Sequence, residues 1–290
     1  GREAPGEVYR LYVESEYDKM PLQTPPEILR CEMASVYLQL KSLGVSNVAA
    51  FPLVDRPPVE SLVKAAHFLS RIGALDKMNQ LTDVGVRLAA MPIHPLFAFL
   101  LLTSIEFECV AEILSIVAML STDAPFCGKE HVKLQHENGD HLTLLAVFSQ
   151  WNKHKQRWEF SRQHGLNHNA MERAGAIRAQ LKDLVKSAWH ITQITSCGKN
   201  WDTVRRCLLK ACFTQTARLD AVNQRMYMTM LSRQEAKLHP TCALVRKQLP
   251  PLVVYTEMVT TTRNYLRTVT EVEPEWLLEL CPRHFASGHS

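Results

Sequence analysis

The spacing of apolar residues changes along this chain, and each change marks a unit. In "TPPEILRCEMASVYLQLKSLGVSN" (24–47), Ile28, Cys31, Ala34 (or Ser35) and Leu38 recur at helical spacing. Thr24, two prolines and Glu27 supply helix-start chemistry and Gly44 a stop, so the pattern predicts a helix here. "PPVESLVKAAHFLSRIGALDKMNQLTDVGVRLAAMP" (57–92) reads as a second helix, then a two-strand ribbon with 74–76 and 80–82 flanking a turn, then a short helix over 83–90. Helix, helix, hairpin, helix is the order of a small winged-helix domain; a generic helical segment with one loop is the alternative.

From 93 to about 212 the period is helical throughout. Val110, Ile113, Leu114, Val117 and Leu120 share one face, as do Leu142, Leu145, Phe148 and Trp151 behind Asp140 as N-cap. Met171, Ala174, Ile177, Leu181, Leu184 and Ala188 make a third face, and 201–213 forms a last short helix capped by Asp202. Proline is absent from 126 to 239, which is where uninterrupted helices can run. Beyond 213 the period falls to two. "RMYMTML" and "PLVVYTEMVTT" read as strands, with "SRQ" and "TTRN" between apolar runs, and a strand-rich ending of this size fits a small OB-type barrel. "GREAPGEVYRLY" (1–12) alternates too, so Val8, Tyr9, Leu11 and Tyr12 read as a buried strand, which needs a partner to be stable.

Composition narrows the classes. A length of 290 residues with 46% hydrophobic content allows two or three domains with a real core. The longest apolar run, "IHPLFAFLLLTSI" (93–105), falls short of the roughly 20 residues of a membrane span. Eight cysteines without a C-x-x-C pair, and no secretory signal at the start, lead us to expect reduced thiols. A net charge of +4 permits a nucleic-acid partner without demanding one.

No G-x-x-x-x-G-K-[ST], G-x-S-x-G or H-E-x-x-H occurs, so nothing in the chain is set up for hydrolysis by itself. Cys127, His131, His136 and His141 invite a zinc reading, but their spacing matches no closed structural site. Loop histidines are the other reading, and no metal is expected. Arg178, Lys182 and Lys186 stack four residues apart on one helix face, either as a solvated stripe or as phosphate contacts. "SCGKNWDTVRRCLLK" (196–210) adds Lys199, Arg205, Arg206 and Lys210, with Ser196 and Asn200 as neutral donors and Gly198 opening a helix N-terminus. "TTTRN" (260–264) offers hydroxyls and Arg263 in a barrel loop. Three separated segments rich in phosphate-type donors suggest a nucleic-acid track.

"GREAPGEVYRLY", "TPPEILRCEMASVYLQLKSLGVSNVAAFPLVDRPP", "GDHLTLL", "SCGKN", "LHPTCAL" and "VVYTEMVTTTRNYLRTVTEVEPEWL" follow one another in an order and spacing that resembles the C-terminal part of DEAH-box (DEAH/RHA) RNA helicases over essentially the whole chain. The resemblance implies a multidomain, mainly α fold. A strand of a second RecA-like motor domain (1–21) would precede a winged-helix domain (22–92), a ratchet helical bundle (93–212) and an OB-like β-barrel (213–290). Gly1 and Arg2 look like the end of the motor's Q-R-x-G-R-A-G-R motif, whose last arginine reaches the γ-phosphate in the family. ATP and Mg2+ would belong to the parent enzyme, with no catalytic residue and no cofactor in this chain.

By the same resemblance, single-stranded RNA would be touched by Ser196, Lys199, Asn200, Thr260, Thr261, Thr262 and Arg263, with Arg178 and Lys182 of the basic stripe. A C-terminal RNA-binding platform of a 3′–5′ helicase is then expected, in pre-mRNA splicing or ribosome biogenesis and in the nucleus, although cytoplasmic relatives share these domains. Its partners would be the upstream motor domains and a G-patch protein on the winged-helix domain, with no membrane. The stretch over 121–140 is shorter than the family's. Two alternatives carry no catalysis. A stand-alone winged-helix binder of duplex DNA has only Lys64, His67, Arg71 and Arg87 to read bases; a protein-interaction scaffold would bind G-patch-type helices without RNA.

Overall fold

A computed structural model describes residues 3–128 and 130–285. Gly1 and Arg2, assigned by resemblance to the nucleotide motif, lie outside the described residues. The strand expected over 8–12 does not form: Val8 and Leu11 are 86% and 99% exposed, and the short helix α1 (Glu14–Tyr17) follows. Alternation marks a segment able to be a strand, but no strand among the described residues pairs with this one.

The helix expected from Thr24 begins only at Ala34. The two prolines lead into a single 3-10 turn (Glu27–Leu29), and α2 (Ala34–Ser42) starts where the Glu32 carboxylate accepts the Ala34 N–H at 3.1 Å and meets His94 at 2.7 Å. Next come α3 (Val59–Arg71) and α4 (Asp83–Ala89), and the ribbon between them reduces to one antiparallel bridge, Leu75 to Leu81. Thr82 ends that ribbon and caps α4 through the Gly85 N–H.

α5 (Pro95–Glu106) and α6 (Val110–Leu120) are separated by Glu108, whose left-handed backbone (φ 52°) breaks the run. α7 (Asp140–Lys153), α8 (Arg157–Gln163), α9 (His168–Trp189) and α10 (Trp201–Ala211) complete the bundle. Leu100, Ile113, Val117, Leu181 and Leu208 lie in one core continuous with the winged helix, while Phe148, Trp151 and Met171 form a second core under α8.

Strands β1 (Thr216–Leu219), β2 (Tyr227–Thr229), β3 (Glu235–Leu238), β4 (Leu252–Thr260) and β5 (Asn264–Glu271) close a barrel in the order β1-β2-β3-β5-β4. Only the β3–β5 pairing is parallel, which together with the strand order gives the five-stranded OB arrangement. Short helices α11 (Pro274–Leu280) and α12 (Pro282–Phe285) follow.

Neither aspartate caps its own helix as the sequence suggested. Asp140 faces the barrel: one carboxylate oxygen accepts the Ala243 N–H at 2.8 Å and the other the Val269 N–H at 2.9 Å. Burial raises its pKa, and these two N–H groups act against that rise. Beside it, Gly139 (φ 122°) bridges to Thr270, and an added Cβ would come within 2.3 Å of the Val269 carbonyl. The Glu271 N–H completes the joint by donating to the Asn138 carbonyl at 2.9 Å. The segment "ENGDH" is thus laid against β5, which ties bundle to barrel.

Asp140→Ala would leave two N–H groups without their charged acceptor, and we expect it to lower stability by about 3 kcal/mol in urea unfolding. Asp140→Asn keeps one acceptor but turns its NH2 toward the other donor, so a smaller loss is expected. Equal stability of Asp140→Ala and wild type would show that the joint holds without the carboxylate.

Candidate nucleic-acid interface

The loop between α9 and α10 is held from below by an acid that sequence reasoning passed over. Glu112 is buried in the first turn of α6, where its carboxylate accepts the Ser196 hydroxyl and the Cys197 N–H, while the Ala111 N–H donates to the Thr195 carbonyl at 2.9 Å. The Ser196 oxygen in turn accepts the Gly198 N–H at 3.2 Å, and Gly198 turns the chain with φ 66°. The Ser196 proton therefore points at Glu112 rather than outward. Burial, with Glu112 second, pushes the neighbouring Cys197 thiol up to about 12 and keeps it protonated.

Asn200, not Asp202, is the N-cap of α10, its side chain accepting the Thr203 N–H at 3.3 Å. Lys199 stands exposed just ahead of it. The N–H groups of Trp201 and Thr203 are taken by the Lys199 carbonyl and the Asn200 side chain, so the exposed Lys199 cation is what this helix start offers a phosphate. The other cations of this segment are engaged. Arg205, 5% exposed, donates to the Glu271 carbonyl (2.9 Å), Asp202 (2.8 Å) and Glu273 (2.7 Å), and lies over the Trp276 ring. Arg206 pairs with Glu279, and Lys210 donates to the Leu280 carbonyl at the end of α11. Three of the four basic residues read as phosphate donors instead fasten α11 to α10.

The stripe on α9 divides in the same way. Arg178 is half-buried and bonds the Ser115 hydroxyl at 2.8 Å and the Ala111 carbonyl at 3.2 Å, beside Glu112. Burial lowers its pKa and Glu112 raises it. The fold thus brings Arg178 and Ser196 together on either side of one carboxylate, as supports of the loop. Lys182 is half-buried and Lys186 exposed.

The second cluster is the β4–β5 hairpin. Thr260, Thr261, Thr262 and Arg263 are all exposed, with Thr260 bonded to Asn264 and Asn264 to the Glu235 carbonyl. Beside them is a groove of about 630 Å³ lined by Asn223, Gln234, Lys237, Thr262, Arg263 and Asn264. Lys237 is set beside them by the β3–β5 register and Asn223 comes from the β1–β2 loop, and sequence spacing gave no signal for either. Lys199 and Arg263 do not share one pocket. Arg205, one turn below Asn200, reaches the last residue of β5, and Arg263 lies just ahead of the first. The strand, about 25 Å long, thus separates Arg263 from the Arg205 contact at its far end.

The four zinc candidates are dispersed. His131 stacks on Phe126, His136 accepts the Asn138 N–H, and His141 is buried against Thr270. Among the described residues no three His, Cys, Asp or Glu are placed to hold a metal ion, and no helix is long and apolar enough to cross a membrane.

Comparison with known proteins agrees with this architecture. The chain matches the winged-helix helicase associated domain (HA2) over residues 65–93, the ratchet-like helicase associated domain (HA2) over 94–165 and the oligonucleotide/oligosaccharide-binding (OB)-fold over 204–284. It is 38% identical over 298 residues to the probable ATP-dependent RNA helicase DHX35 of Pongo abelii, covering 99% of this chain and 41% of the relative. To the protein of the same name from Homo sapiens it is 37% identical, covering 99% of this chain and 42% of the relative. The chain spans about two fifths of the length of the curated relatives it matches. Two helicase associated domains followed by an OB-fold, with 37–38% identity along nearly every residue, make the chain similar to the C-terminal, helicase-associated region of DEAH-box helicases.

Proposed function

We propose that this chain is the RNA-binding platform of an ATP-dependent 3′–5′ RNA helicase that remodels RNA or ribonucleoprotein in the nucleus, of the pre-mRNA splicing or ribosome-biogenesis type. The observation that carries the reading is the pair of exposed cations, Lys199 and Arg263, presented by two units whose spacing the "ENGDH" joint fixes. Hydroxyls and cations facing phosphate make binding tolerant of sequence and sensitive to salt. The chain carries no phosphate-binding loop, so ATP and Mg2+ would be bound by motor domains of the parent protein, and the isolated chain is expected to hydrolyse no ATP.

The test is salt-titrated fluorescence anisotropy with oligo-U. Lys199→Ala with Arg263→Ala should weaken binding and flatten the salt slope by about 0.7 for each phosphate that is no longer neutralised. An equal weakening in a control such as Lys77→Ala, or unchanged binding in the double variant, overturns the track. A second reading, docking of a G-patch-type helix, draws on Val59 and Val63, which are 65% and 48% exposed one turn apart on α3. It is compatible with the first.

A further inference from the structure

The corner between α7 and α8 carries a cluster of positive charge apart from the segments of Lys199 and Arg263. Lys153, Lys155, Arg157 and Arg162 against Glu159 alone give residues 151–168 a net charge of +3. Trp158 is 61% exposed at the centre of this patch, with the Arg162 guanidinium 5.4 Å from its ring centroid. Arg157 is turned inward, over the buried Trp151 and toward Asn152 and Glu172. Lys153, Lys155 and Arg162 are exposed and make no ion pair among the described residues. Of the nearby acids, Glu159 takes the Gln163 amide and Glu172 lies beside Arg157 and His168.

An indole left in water costs free energy, and nothing in the core of this domain needs Trp158, because Trp151 and Phe160 already fill the space beneath α8. A flat aromatic ring surrounded by unpaired cations is what a single-stranded nucleic acid uses, with a base on the ring and phosphates on the cations. We propose that the α7–α8 corner is a second single-stranded RNA contact, separate from the one at Lys199 and Arg263, with a base stacked on Trp158 and its flanking phosphates held by Lys153, Lys155 and Arg162. The patch lies by the α9 N-terminus, where α8 packs, whereas Arg178, ten residues further along α9, supports the loop of the first cluster. An RNA reaching both would run along the outside of the bundle.

This inference shares the RNA ligand of the proposed function, and the experiment separates the two. The 290-residue chain is photo-crosslinked to a 4-thiouridine oligo-U and digested with trypsin, which releases residues 158–162 as one peptide. We expect a crosslink on that peptide that persists in the Lys199→Ala, Arg263→Ala variant. In anisotropy, Trp158→Ala should weaken oligo-U about tenfold and leave an abasic oligomer of equal charge unaffected, and an exposed ring can be removed without unfolding. Lys153→Ala with Lys155→Ala should flatten the salt slope by about 0.7 per phosphate. The proposal is overturned by absence of the crosslink while the Lys199 and Arg263 effects remain, by equal binding of abasic and oligo-U chains, or by poly-glutamate competing as well as RNA, which would mark an acidic protein partner. A crosslink at 158–162 with no effect of Lys199 and Arg263 would instead sink the first track and keep this one.

Discussion

Arg205→Ala should cost about 3–5 kcal/mol of stability, among the largest losses of any single substitution in the chain, because it leaves a buried network without its charge. Its guanidinium meets the Glu271 carbonyl, Asp202 and Glu273 at once, and it covers Trp276 as well. Removal strands a carbonyl and a half-buried carboxylate, and opens space beside the indole. Both acids are partly exposed, at 64% for Asp202 and 44% for Glu273, so water relieves them in part and the lower end of the range is the better expectation. Arg205→Lys keeps the charge but cannot serve three acceptors in a fork, so it should recover only a minority of the loss. Urea unfolding of the three proteins measures this. An Arg205→Ala variant within about 0.5 kcal/mol of wild type would show that α11 is held by apolar packing alone.

Acidification should remove a comparable amount, chiefly through His141, with His136, whose pKa burial also lowers, acting in the same sense. His141 is completely buried with Nδ1 2.9 Å from the Thr270 hydroxyl, and burial pushes its pKa down to about 3 from an ordinary 6.5. The unfolded chain takes up a proton below pH 6.5 while the folded chain does not, so stability rises with pH across the window from about 3 to 6.5. Followed downward, folding should weaken by about 1.4 kcal/mol for each pH unit below 6.5, levelling off near pH 3. Asp140, whose pKa burial raises, acts in the opposite sense above its unfolded value of 3.8, because the folded state holds that proton more tightly. The clean measurement is therefore the difference between wild type and His141→Gln in urea unfolding from pH 7 to 4. The variant should show a slope shallower by about one proton, and parallel curves would mean that the imidazole is protonated in the folded state.

The pattern of apolar residues was enough to find most of the helices, the strands within "RMYMTML" and "PLVVYTEMVTT" and a small barrel as a class, since each is a local repeat against a core. It failed where partnership is not local. Asp140 and Asp202 were read as caps because they sit where caps sit, yet one bonds N–H groups more than a hundred residues away and the other pairs with Arg205. Arg205, Arg206 and Lys210 looked like phosphate donors because a sequence shows charge without showing the groups around α11 that take it up. Glu112 left a trace that could have been used: an acid inside "VAEILSIVAML", on a helix buried nearly all round, must find a partner. Lys237 left none, since only the closing of the barrel sets it beside Arg263.

The strand β5 has a consequence beyond the barrel it completes. It connects the "ENGDH" joint and Arg205 at one end to the hairpin of Arg263 at the other, so it would work as a ruler between the RNA contacts proposed at the bundle and at the barrel. An oligonucleotide shorter than that ruler can hold one contact at a time. One that spans it gains the second at high effective concentration, and affinity should then rise as a step with RNA length rather than as a slope.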